Sequence, residues 1–177
     1  MVTYRAATSE DRKRAEAIDN SFTTDTVLEV TATDAEFRVI HVPVDPPVHK
    51  VYPDDEDETD GEEHVIVAID TEGDVCGAIT LAYATWNRRL HIADLRVSPP
   101  HRGRGIGTAL MERALTHGRD LAARTAWLEV TNVNAPAVRA YRRLGFALCG
   151  LDTSLYVGTE SEGEVALFMS RGCERGL

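Results

Sequence analysis

The feature that most constrains this chain is a glycine- and arginine-rich stretch, SPPHRGRGIGTAL, at residues 98–110. A strand pattern precedes it and an amphipathic helix pattern follows it, which predicts a strand-to-helix turn. The amino end of a helix has unpaired N–H groups and a partial positive charge, and both suit a phosphate. Because glycines let the backbone approach an anion closely, the stretch is interpreted as a pyrophosphate-binding turn, with Arg102 and Arg104 adding positive charge.

Three phosphate-binding motifs can be compared with this stretch. A P-loop requires a Lys-Ser/Thr pair that is missing here, and a dinucleotide fingerprint requires a third glycine where Thr108 stands. The pattern [Q/R]-x-x-G-x-[G/A] is met in full by Arg102, Gly105 and Gly107. A plain glycine-rich turn without a ligand is the alternative interpretation.

The remaining periodicity predicts an α+β fold in one domain spanning residues 1–177. Helices are expected after Thr8, from Gly105 to Ala122, and after Asn134, where Thr8 with Asp11 forms a capping-box pattern. Residues 20–30 are left as a turn followed by a helical or extended piece. Strands are expected at residues 2–6, 36–44, 64–70, 75–86, 88–97, 125–131 and 163–170.

Two details of these elements are specific enough to check. The strand at residues 36–44 is expected to end at its prolines, Pro43, Pro46 and Pro47. The helix after Gly105 is expected to bury one face, at positions separated by four, four and seven residues: Ile106, Leu110, Ala114 and Leu121.

The charge of the chain narrows the class of ligand. The net charge is −10 at pH 7, which argues against nucleic acid and is compatible with a cationic small molecule, although an acidic surface also favours solubility. Much of the negative charge lies in DDEDETDGEE at residues 54–63, within a predicted acidic mobile loop at 53–63. This run is either a solvated loop or an acidic fence near a site.

The chain shows no pattern for a membrane, a secretion signal or a metal. No apolar run approaches the ~20 residues of a membrane span, and the amino terminus has no apolar signal region, so a cytoplasmic protein is expected. The cysteines, Cys76, Cys149 and Cys173, form no metal-binding or disulfide pattern and are expected to be reduced.

Two sequence blocks resemble the GNAT acetyltransferases, which bind acetyl-CoA. The first is LHIADLRV followed by SPPHRGRGIGTALMERAL, and the second is EVTNVNAPAVRAYRRLGF. The second block matches the family pattern N-x-x-A-x-x-x-Y-x-x-x-G-F through Asn134, Ala137, Tyr141, Gly145 and Phe146. The resemblance implies the GNAT fold, a mixed and mostly antiparallel sheet that is splayed at the CoA site and has helices on both faces.

The resemblance also implies how acetyl-CoA binds. The pyrophosphate is expected on the backbone of residues 102–108, and the pantetheine arm on the peptide groups of residues 95–97. No metal is expected. The implied cofactor-binding residues are Leu95, Arg96, Val97, Arg102, Gly103, Arg104, Gly105, Ile106, Gly107, Thr108, Asn134 and Tyr141.

The segments AIDNSFTTDTVLEV and GLDTSLYVGTESEGEVALF resemble streptothricin acetyltransferases within that family. This implies that the acceptor is an amine on the β-lysine part of the antibiotic, that neither nucleic acid nor membrane is a partner, and that a homodimer is possible. A cationic acceptor would be bound by carboxylates and aromatic rings. The candidate substrate-binding residues are Phe22, Thr23, Thr24, Asp94, Asp152, Tyr156 and Glu164.

Two residues are candidates for catalysis. Tyr141 lies where the family often has a tyrosine that protonates the departing thiolate, but its helical spacing from Val138 also suits a core residue. Asp94 is placed by strand alternation on one face with Leu90, Ile92 and Arg96. It would orient the amine or take its proton through water, or else form an ion pair with an arginine.

Other interpretations remain open at this point. Many relatives have a second carboxylate at the position of Ala93, so a direct role of Asp94 as the base is in doubt. His91 and His101 are further candidate bases, with an ordinary surface role as the alternative. Direct attack is expected, because no cysteine has a nucleophile context. The alternative functions are acetylation of a protein N-terminus or lysine, and acyl-CoA binding without catalysis.

Overall fold

The computed structural model describes residues 1–52 and 63–173, so the prediction for the acidic run at 54–63 lies outside the described residues apart from Glu63. The strands are β1 Thr3–Ala6, β2 Phe22–Ala32, β3 Phe37–Lys50, β4 Glu63–Ile69, β5 Val75–Ala84, β6 Arg89–Val97, β7 Thr125–Thr131, β8 Ala147–Asp152 and β9 Ala166–Gly172. The helices are α1 Ser9–Glu16, α2 Ile106–Asp120 and α3 Ala135–Arg143, with a short 3₁₀ turn at Pro99–His101. None of these helices is long and apolar enough to cross a membrane.

The described residues form two compact units. The first contains residues 1–20, 63–128 and 171–173, and the second contains residues 21–52 and 129–170. The boundary passes through β7. The strand order is β1-β4-β5-β6-β7 in the first unit and β7-β9-β8 in the second, which also contains the β2–β3 ribbon. A single acetyltransferase domain stays a prediction.

In the first unit, α1 covers one face of the sheet. It begins with the predicted capping box, in which the Thr8 hydroxyl accepts from the Asp11 N–H and the Asp11 carboxylate accepts from the Thr8 N–H. Arg5 also donates to this buried carboxylate, and these hydrogen bonds hold the pKa of Asp11 well below its usual range. Ala15 of α1 packs against Val65 and other buried residues of β4 and β5.

Helix α2 covers the opposite face of the same sheet. A Cβ added to Gly77 would lie 3.1 Å from Ile106 Cγ2 and 3.2 Å from Leu110 Cδ1, so the glycine permits this close approach. Ile106, Leu110 and Ala114 are buried as predicted. Leu121 is 38 % exposed, contrary to the prediction, because α2 ends at Asp120. The predicted helices on both faces are therefore present.

In the second unit, β2 and β3 form a long antiparallel ribbon, and residues 20–30 are mainly extended. The prediction that β3 ends at its prolines is wrong. Thr24 pairs with Val48 and Thr26 with Pro43, so Pro46 and Pro47 lie in a bulged segment outside the paired positions. A proline has no N–H to donate, and a bulge requires none there.

The second unit also contains α3 and the closing strands. Asn134 caps α3 as predicted, accepting from the Ala137 N–H at 3.1 Å, and Gly145 follows the helix with a φ of 86°. Strand β8, which pairs antiparallel with β9, was not predicted. Its residues 147–150 are exposed and lack an alternating pattern, so periodicity could not identify it.

Candidate active site

A β-bulge in β6 determines which side chains face which helix. Leu81 of β5 pairs with Ile92, and Thr80 pairs with Asp94, so Ala93 has no partner in β5. An extra residue in one strand interrupts the alternation of its side chains. Even-numbered residues before Ala93, such as Ile92, therefore lie on the opposite face of the sheet from even-numbered residues after it, such as Asp94.

The bulge overturns one prediction from the sequence. Leu90 and Ile92 lie on the face that α2 covers, whereas Arg96 lies on the α1 face and donates to the Glu16 carbonyl at 2.9 Å. Asp94 shares the face of Arg96 and not that of Leu90 and Ile92, contrary to the expectation. The charged part of β6 is therefore separated from the apolar packing beneath α2.

Asp94 and Arg96 form an ion pair on that face. The distance from Arg96 Nε to Asp94 Oδ2 is 2.6 Å, and the side chains are 26 % and 40 % exposed, respectively. Because Arg96 is also anchored to the end of α1, it fixes the position of the carboxylate. The ion pair expected as one alternative for Asp94 is thus present.

The ladder between β6 and β7 is short. It runs from Arg89 to His91 on β6 and ends at the pair formed by His91 and Trp127, whose rings stack at 4.1 Å. Burial, followed by the charge of Arg89, lowers the pKa of His91. Beyond this pair, no β7 partner is found for residues 92–97 within the part of the chain that the structure describes. A splay of the sheet beside this part of β6 is what the resemblance to the GNAT family implies.

The free edge of β6 presents peptide groups at alternate residues. The Ser98 N–H donates to the Cys76 carbonyl of β5 at 2.9 Å. By alternation, the peptide groups of Arg96 also face β5, whereas those of Leu95 and Val97 face away from it. Residues 95 and 97 therefore present hydrogen-bonding groups on the side away from β5, where the Val97 carbonyl already accepts from Arg102 Nε at 2.9 Å.

The glycine turn, residues 102–108, follows β6 and the 3₁₀ turn. Gly103 and Gly105 have φ values of 74° and 82°, the left-handed region that favours glycine. A Cβ added to either glycine would meet no atom within 4 Å. The turn is thus open above its backbone.

The amino end of α2 is uncapped. The first helical hydrogen bond runs from the Ala109 N–H to the Gly105 carbonyl at 3.0 Å. Among residues 1–52 and 63–173, no acceptor is found for the N–H groups of residues 103–108. The first turn has no side-chain cap and no acidic residue. Six successive donors are therefore available at a helix end, where an anion is favoured.

The two arginines of the glycine turn differ in what their side chains contact. Arg102 donates from Nε to the Val97 carbonyl at 2.9 Å and from Nη2 to the Asp19 carbonyl at 2.6 Å. It ties the turn to β6 and to the chain after α1. Arg104 is exposed and borders a cavity of about 420 Å³ with Asp70 and His101. Arg104 is thus the more accessible of the two cations.

The remaining predicted site residues belong to the second unit, beginning with those of α3. Asn134 uses both ends of its amide, because its Nδ2 also donates to the Tyr52 hydroxyl at 2.7 Å. Tyr141 is half-buried, and its ring lies 6.0 Å from that of Phe146. Val138 is fully buried, so the helix has a core-facing residue one turn before Tyr141.

Glu164 lies in a nearly buried ion pair that the sequence did not reveal. Its Oε1 is 2.6 Å from Lys50 Nζ, and the two side chains are 16 % and 11 % exposed. Lys50 also donates to the Ser161 hydroxyl at 2.9 Å, and Thr131 donates to the second Glu164 oxygen. The charge of Glu164 is therefore already balanced by an internal cation.

The start of β2 brings Phe22 to the same cluster. Phe22 pairs with Lys50, and its ring centroid lies 5.9 Å from that of Tyr52. Thr23 instead lies beside His49, with Oγ1 and Nδ1 3.0 Å apart.

Thr24 is buried and used within its own strand. Its hydroxyl donates to the Thr26 carbonyl at 2.6 Å. Of the three residues predicted at the start of β2, Phe22 is thus the one that joins the Lys50–Glu164 cluster.

Tyr156 is paired with a carboxylate that the sequence analysis missed. Its hydroxyl donates to Glu129, and burial followed by this hydrogen bond raises the pKa of Tyr156. The charge of Glu164 acts in the same direction, so the two predicted residues lie within electrostatic range. The phenol stays protonated and serves as a hydrogen-bond donor.

The Asp152 carboxylate forms its hydrogen bonds within its own turn. Its Oδ1 accepts from the N–H and the hydroxyl of Ser154, both at 2.7 Å, and these bonds lower the pKa of Asp152. The structure therefore joins Phe22, Tyr156 and Glu164 through shared neighbours, and it gives Asp152 a local role.

Two of the three cysteines, Cys76 and Cys173, are buried, and Cys149 is exposed. Burial raises the pKa of the Cys76 and Cys173 thiols, which disfavours the reactive thiolate. Among residues 1–52 and 63–173, no group of three His, Cys, Asp or Glu side chains is arranged to hold a metal ion.

The model of the acetyltransferase (GNAT) family matches residues 31–146. The chain belongs to the GNAT family. Streptothricin acetyltransferase of Streptomyces lavendulae is 50 % identical to it over 178 residues, which cover 96 % of this chain and 94 % of that GNAT relative. The predicted GNAT fold and the predicted acetyltransferase class are confirmed.

Solved structures agree with this GNAT assignment. The crystal structure of nourseothricin acetyltransferase has a TM-score of 0.91 and 52 % identity, and covers 98 % of this chain and 99 % of its own. A protein from Bacillus anthracis str. Ames, solved in complex with acetyl coenzyme A, has a TM-score of 0.80 and 23 % identity over 97 % and 99 % of the two chains. At that identity the likeness concerns the GNAT fold alone.

The glycine turn fits the anionic group that a GNAT enzyme would bind. A pyrophosphate requires several N–H donors, room above the backbone and positive charge. The uncapped amides of residues 103–108 supply donors, the two left-handed glycines leave the space open, and Arg104 supplies accessible charge.

Proposed function

We propose that this protein transfers the acetyl group of acetyl-CoA to a primary amine of a cationic small molecule, and that the acceptor is streptothricin. The observation that carries the first half is the run of six N–H groups without an acceptor at the uncapped start of α2. The second half rests on the 50 % identity to a streptothricin acetyltransferase along almost the whole chain.

Acetyl-CoA binding is assigned to the first unit's free backbone. We propose that the amides of residues 103–108 bind the pyrophosphate, and that the peptide groups of Leu95 and Val97 bind the pantetheine arm. Arg104 contributes charge from the solvent side. Arg102 and Arg96 contribute by holding the turn and the carboxylate of Asp94, since their side chains bind protein groups. Asn134 and Tyr141 stay proposed cofactor-binding residues.

The reaction requires a neutral amine and a proton for the leaving thiolate. The amine nitrogen forms a bond to the acetyl carbon, the carbon–sulfur bond breaks, and the thiolate takes up a proton. We propose Tyr141 as the donor of that proton. For Asp94 the ion pair with Arg96 favours orientation of the acceptor amine over direct proton removal, because a neighbouring cation stabilises the carboxylate form.

The acceptor is assigned to acidic and aromatic groups of the second unit. Glu129 and Glu164 lie near Tyr156. Glu129 and the ring of Phe22 are the types of group that bind ammonium ions, and Glu164, which is paired with Lys50, stays a proposed acceptor residue. Thr23, Thr24 and Asp152 stay proposed acceptor residues with local hydrogen bonds of their own.

The experiment is a thiol-release assay with the purified protein, acetyl-CoA and a panel of amines. Streptothricin is expected to give rapid release, with one acetyl group located on its β-lysine part by mass spectrometry. Release with peptides bearing a free N-terminus or lysine, and not with streptothricin, would instead identify a protein acetyltransferase. Acetyl-CoA binding without release for any amine would identify a binding protein.

A tyrosine variant tests the proposed chemistry separately. Tyr141→Phe is expected to lower kcat about tenfold or more while the Kd for acetyl-CoA changes little, since the ring that would contact the cofactor is kept and only the proton donor is removed. Tyr83→Phe, a matched change in β5, is the control and should behave as the original enzyme. An unchanged kcat in Tyr141→Phe would remove Tyr141 from the mechanism.

Compartment and assembly stay predictions. A cytoplasmic location would be tested by cell fractionation, and a homodimer by light scattering of the purified protein.

A further inference from the structure

His101 makes two contacts that the proposed function does not use. It is the last residue of the 3₁₀ turn and directly precedes the glycine turn. Its Nδ1 lies 2.8 Å from the Ser98 hydroxyl, and its Nε2 lies 3.6 Å from Asp70 Oδ2. The side chain is 24 % exposed, so the ring is largely enclosed by its neighbours.

Asp70 provides a fixed carboxylate for this contact. Its Oδ1 accepts from the Glu72 and Asp74 N–H groups, both at 2.9 Å, in the hairpin between β4 and β5. These hydrogen bonds leave Oδ2 directed at the histidine, and the side chain is only 15 % exposed. The hairpin therefore fixes the carboxylate independently of the glycine turn.

The two contacts of the ring differ in kind. The Ser98 hydroxyl and Nδ1, 2.8 Å apart, share a hydrogen bond, whereas Nε2 and Asp70 Oδ2, 3.6 Å apart, are at ion-pair distance. The result is a continuous Asp70–His101–Ser98 link from the β4–β5 hairpin to the end of β6.

A second attachment lies immediately after His101. Arg102 binds the Val97 and Asp19 carbonyls, so the first residue of the glycine turn is also held by the protein. The free amides of residues 103–108 begin directly beyond these two attachments. A glycine-rich segment loses much conformational freedom on binding unless it is already ordered.

We propose that His101 is a positioning residue that holds the glycine turn ready for the pyrophosphate of acetyl-CoA. It acts through Ser98 and Asp70 and does not touch the substrate. This inference rests on the proposed function, because it assumes that the turn binds acetyl-CoA. Removing the link leaves every N–H donor in place but allows the turn to sample other conformations, so affinity falls while the chemical step is unaffected.

The test uses three substitutions of His101 in the full chain. His101→Ala removes both contacts, His101→Asn keeps an amide near the position of Nδ1, and His101→Gln keeps one near Nε2. Thr71→Ala is the matched control, because Thr71 lines the same cavity and is not part of the link. Calorimetry gives the Kd for acetyl-CoA, the thiol-release assay gives KM and kcat, and thermal melting reports folding.

We expect His101→Ala to raise the Kd and the KM for acetyl-CoA about tenfold, with kcat at saturation within about twofold. The Asn and Gln variants should fall between His101→Ala and the original protein, and Thr71→Ala should match the original. The proposal is overturned if His101→Ala binds acetyl-CoA normally, or if Asn and Gln restore the melting temperature but leave affinity as low as in the Ala variant. If the unaltered protein binds no acetyl-CoA, the proposed function itself fails.

Discussion

Two helices of the first unit begin in opposite ways. Helix α1 starts with Thr8 and Asp11, which satisfy each other's backbone N–H groups, and Arg5 adds an ion pair. Helix α2 starts at Gly105 without a side-chain cap and without an acidic residue in its first turn. The amino ends of both helices carry a partial positive charge, but only the charge at the start of α1 is neutralised by a side chain of the protein.

The difference shows how one structural problem has two solutions. Capping the N–H groups internally increases stability and uses up the donors. Leaving them open sacrifices that stabilisation and keeps the donors for a ligand. Substitutions at the α1 start should therefore change stability alone, whereas substitutions at the α2 start should chiefly change acetyl-CoA binding.

The largest effect is expected when α2 is given the acidic group that α1 has. Gly107→Asp places a carboxylate in the first turn, where it competes with the pyrophosphate for the same N–H groups. The Kd for acetyl-CoA should rise more than about hundredfold, with the melting temperature within about 2 °C, because the helix end tolerates the charge. Gly107→Ala is the control for size, since its Cβ would lie 3.7 Å from Val97 Cγ2, an ordinary contact. Equal loss in both variants would contradict the role of charge.

The converse change removes the cap of α1. Asp11→Ala should lower the free energy of unfolding by about 2 kcal/mol, since it removes the hydrogen bonds to Thr8 and Arg5 and leaves the helix end unsatisfied. The Kd for acetyl-CoA should be unchanged. Chemical denaturation measures the first effect, and Glu10→Ala in the same turn is the control. A large loss of acetyl-CoA affinity would show that the two helix starts are not independent.

The same carboxylate predicts a pH dependence. Because the pKa of Asp11 is lowered in the folded protein, its stabilising contribution is complete above the unfolded value of about 3.9. The contribution is lost as the pH falls further towards the folded pKa. The stability difference between the original protein and Asp11→Asn should therefore be constant near neutral pH and shrink below about pH 4. A difference that widens on acidification would refute this sign.

A smaller effect is expected from the backbone of the glycine turn. Gly105→Ala should cost about 1–2 kcal/mol of stability, because the residue has a φ of 82°. It should also weaken acetyl-CoA binding several-fold by shifting the turn. Gly158→Ala has a comparable φ of 79° and serves as the control. It should lose similar stability and keep its acetyl-CoA affinity.

The smallest change in stability is expected at the start of α3. Helix α1 is capped by two residues that bind each other, whereas α3 is capped by Asn134 alone. Asn134→Ala should lower the free energy of unfolding by about 1 kcal/mol, since the Ala137 N–H loses its acceptor. Asn134→Asp keeps the acceptor and should restore most of this loss in a denaturant titration. If both variants are equally unstable, the contact to Tyr52 and not the cap supplies the stability.

The sequence predicted the features that depend on neighbouring residues. The capping box at Thr8 and Asp11, the cap at Asn134, and the glycine turn are local patterns with a physical cause, and each is present in the structure. The splay was predicted only through the resemblance, because strand separation is not encoded in either strand by itself.

The features that were missed depend on pairing between distant segments. The bulge at Ala93 is visible only from the register of β5, and it reversed the predicted face of Asp94. Lys50 and Glu164 are 114 positions apart, so no local pattern joins them. Strand β3 continued past Pro46 and Pro47 because a bulge against β2 removed the need for their N–H groups.

The bulge in β6 also implies which mutations this strand can survive. Beyond Ala93, the side chains of Leu95 and Val97 point towards α2, and those of Asp94 and Arg96 point to the other side. Deleting Ala93 would make Ile92 and Asp94 neighbours while each keeps its present partner in β5, so regular alternation would leave the carboxylate and the guanidinium on their present side. Position 93 is therefore the place where this strand can lose a residue without turning Asp94 and Arg96 towards α2.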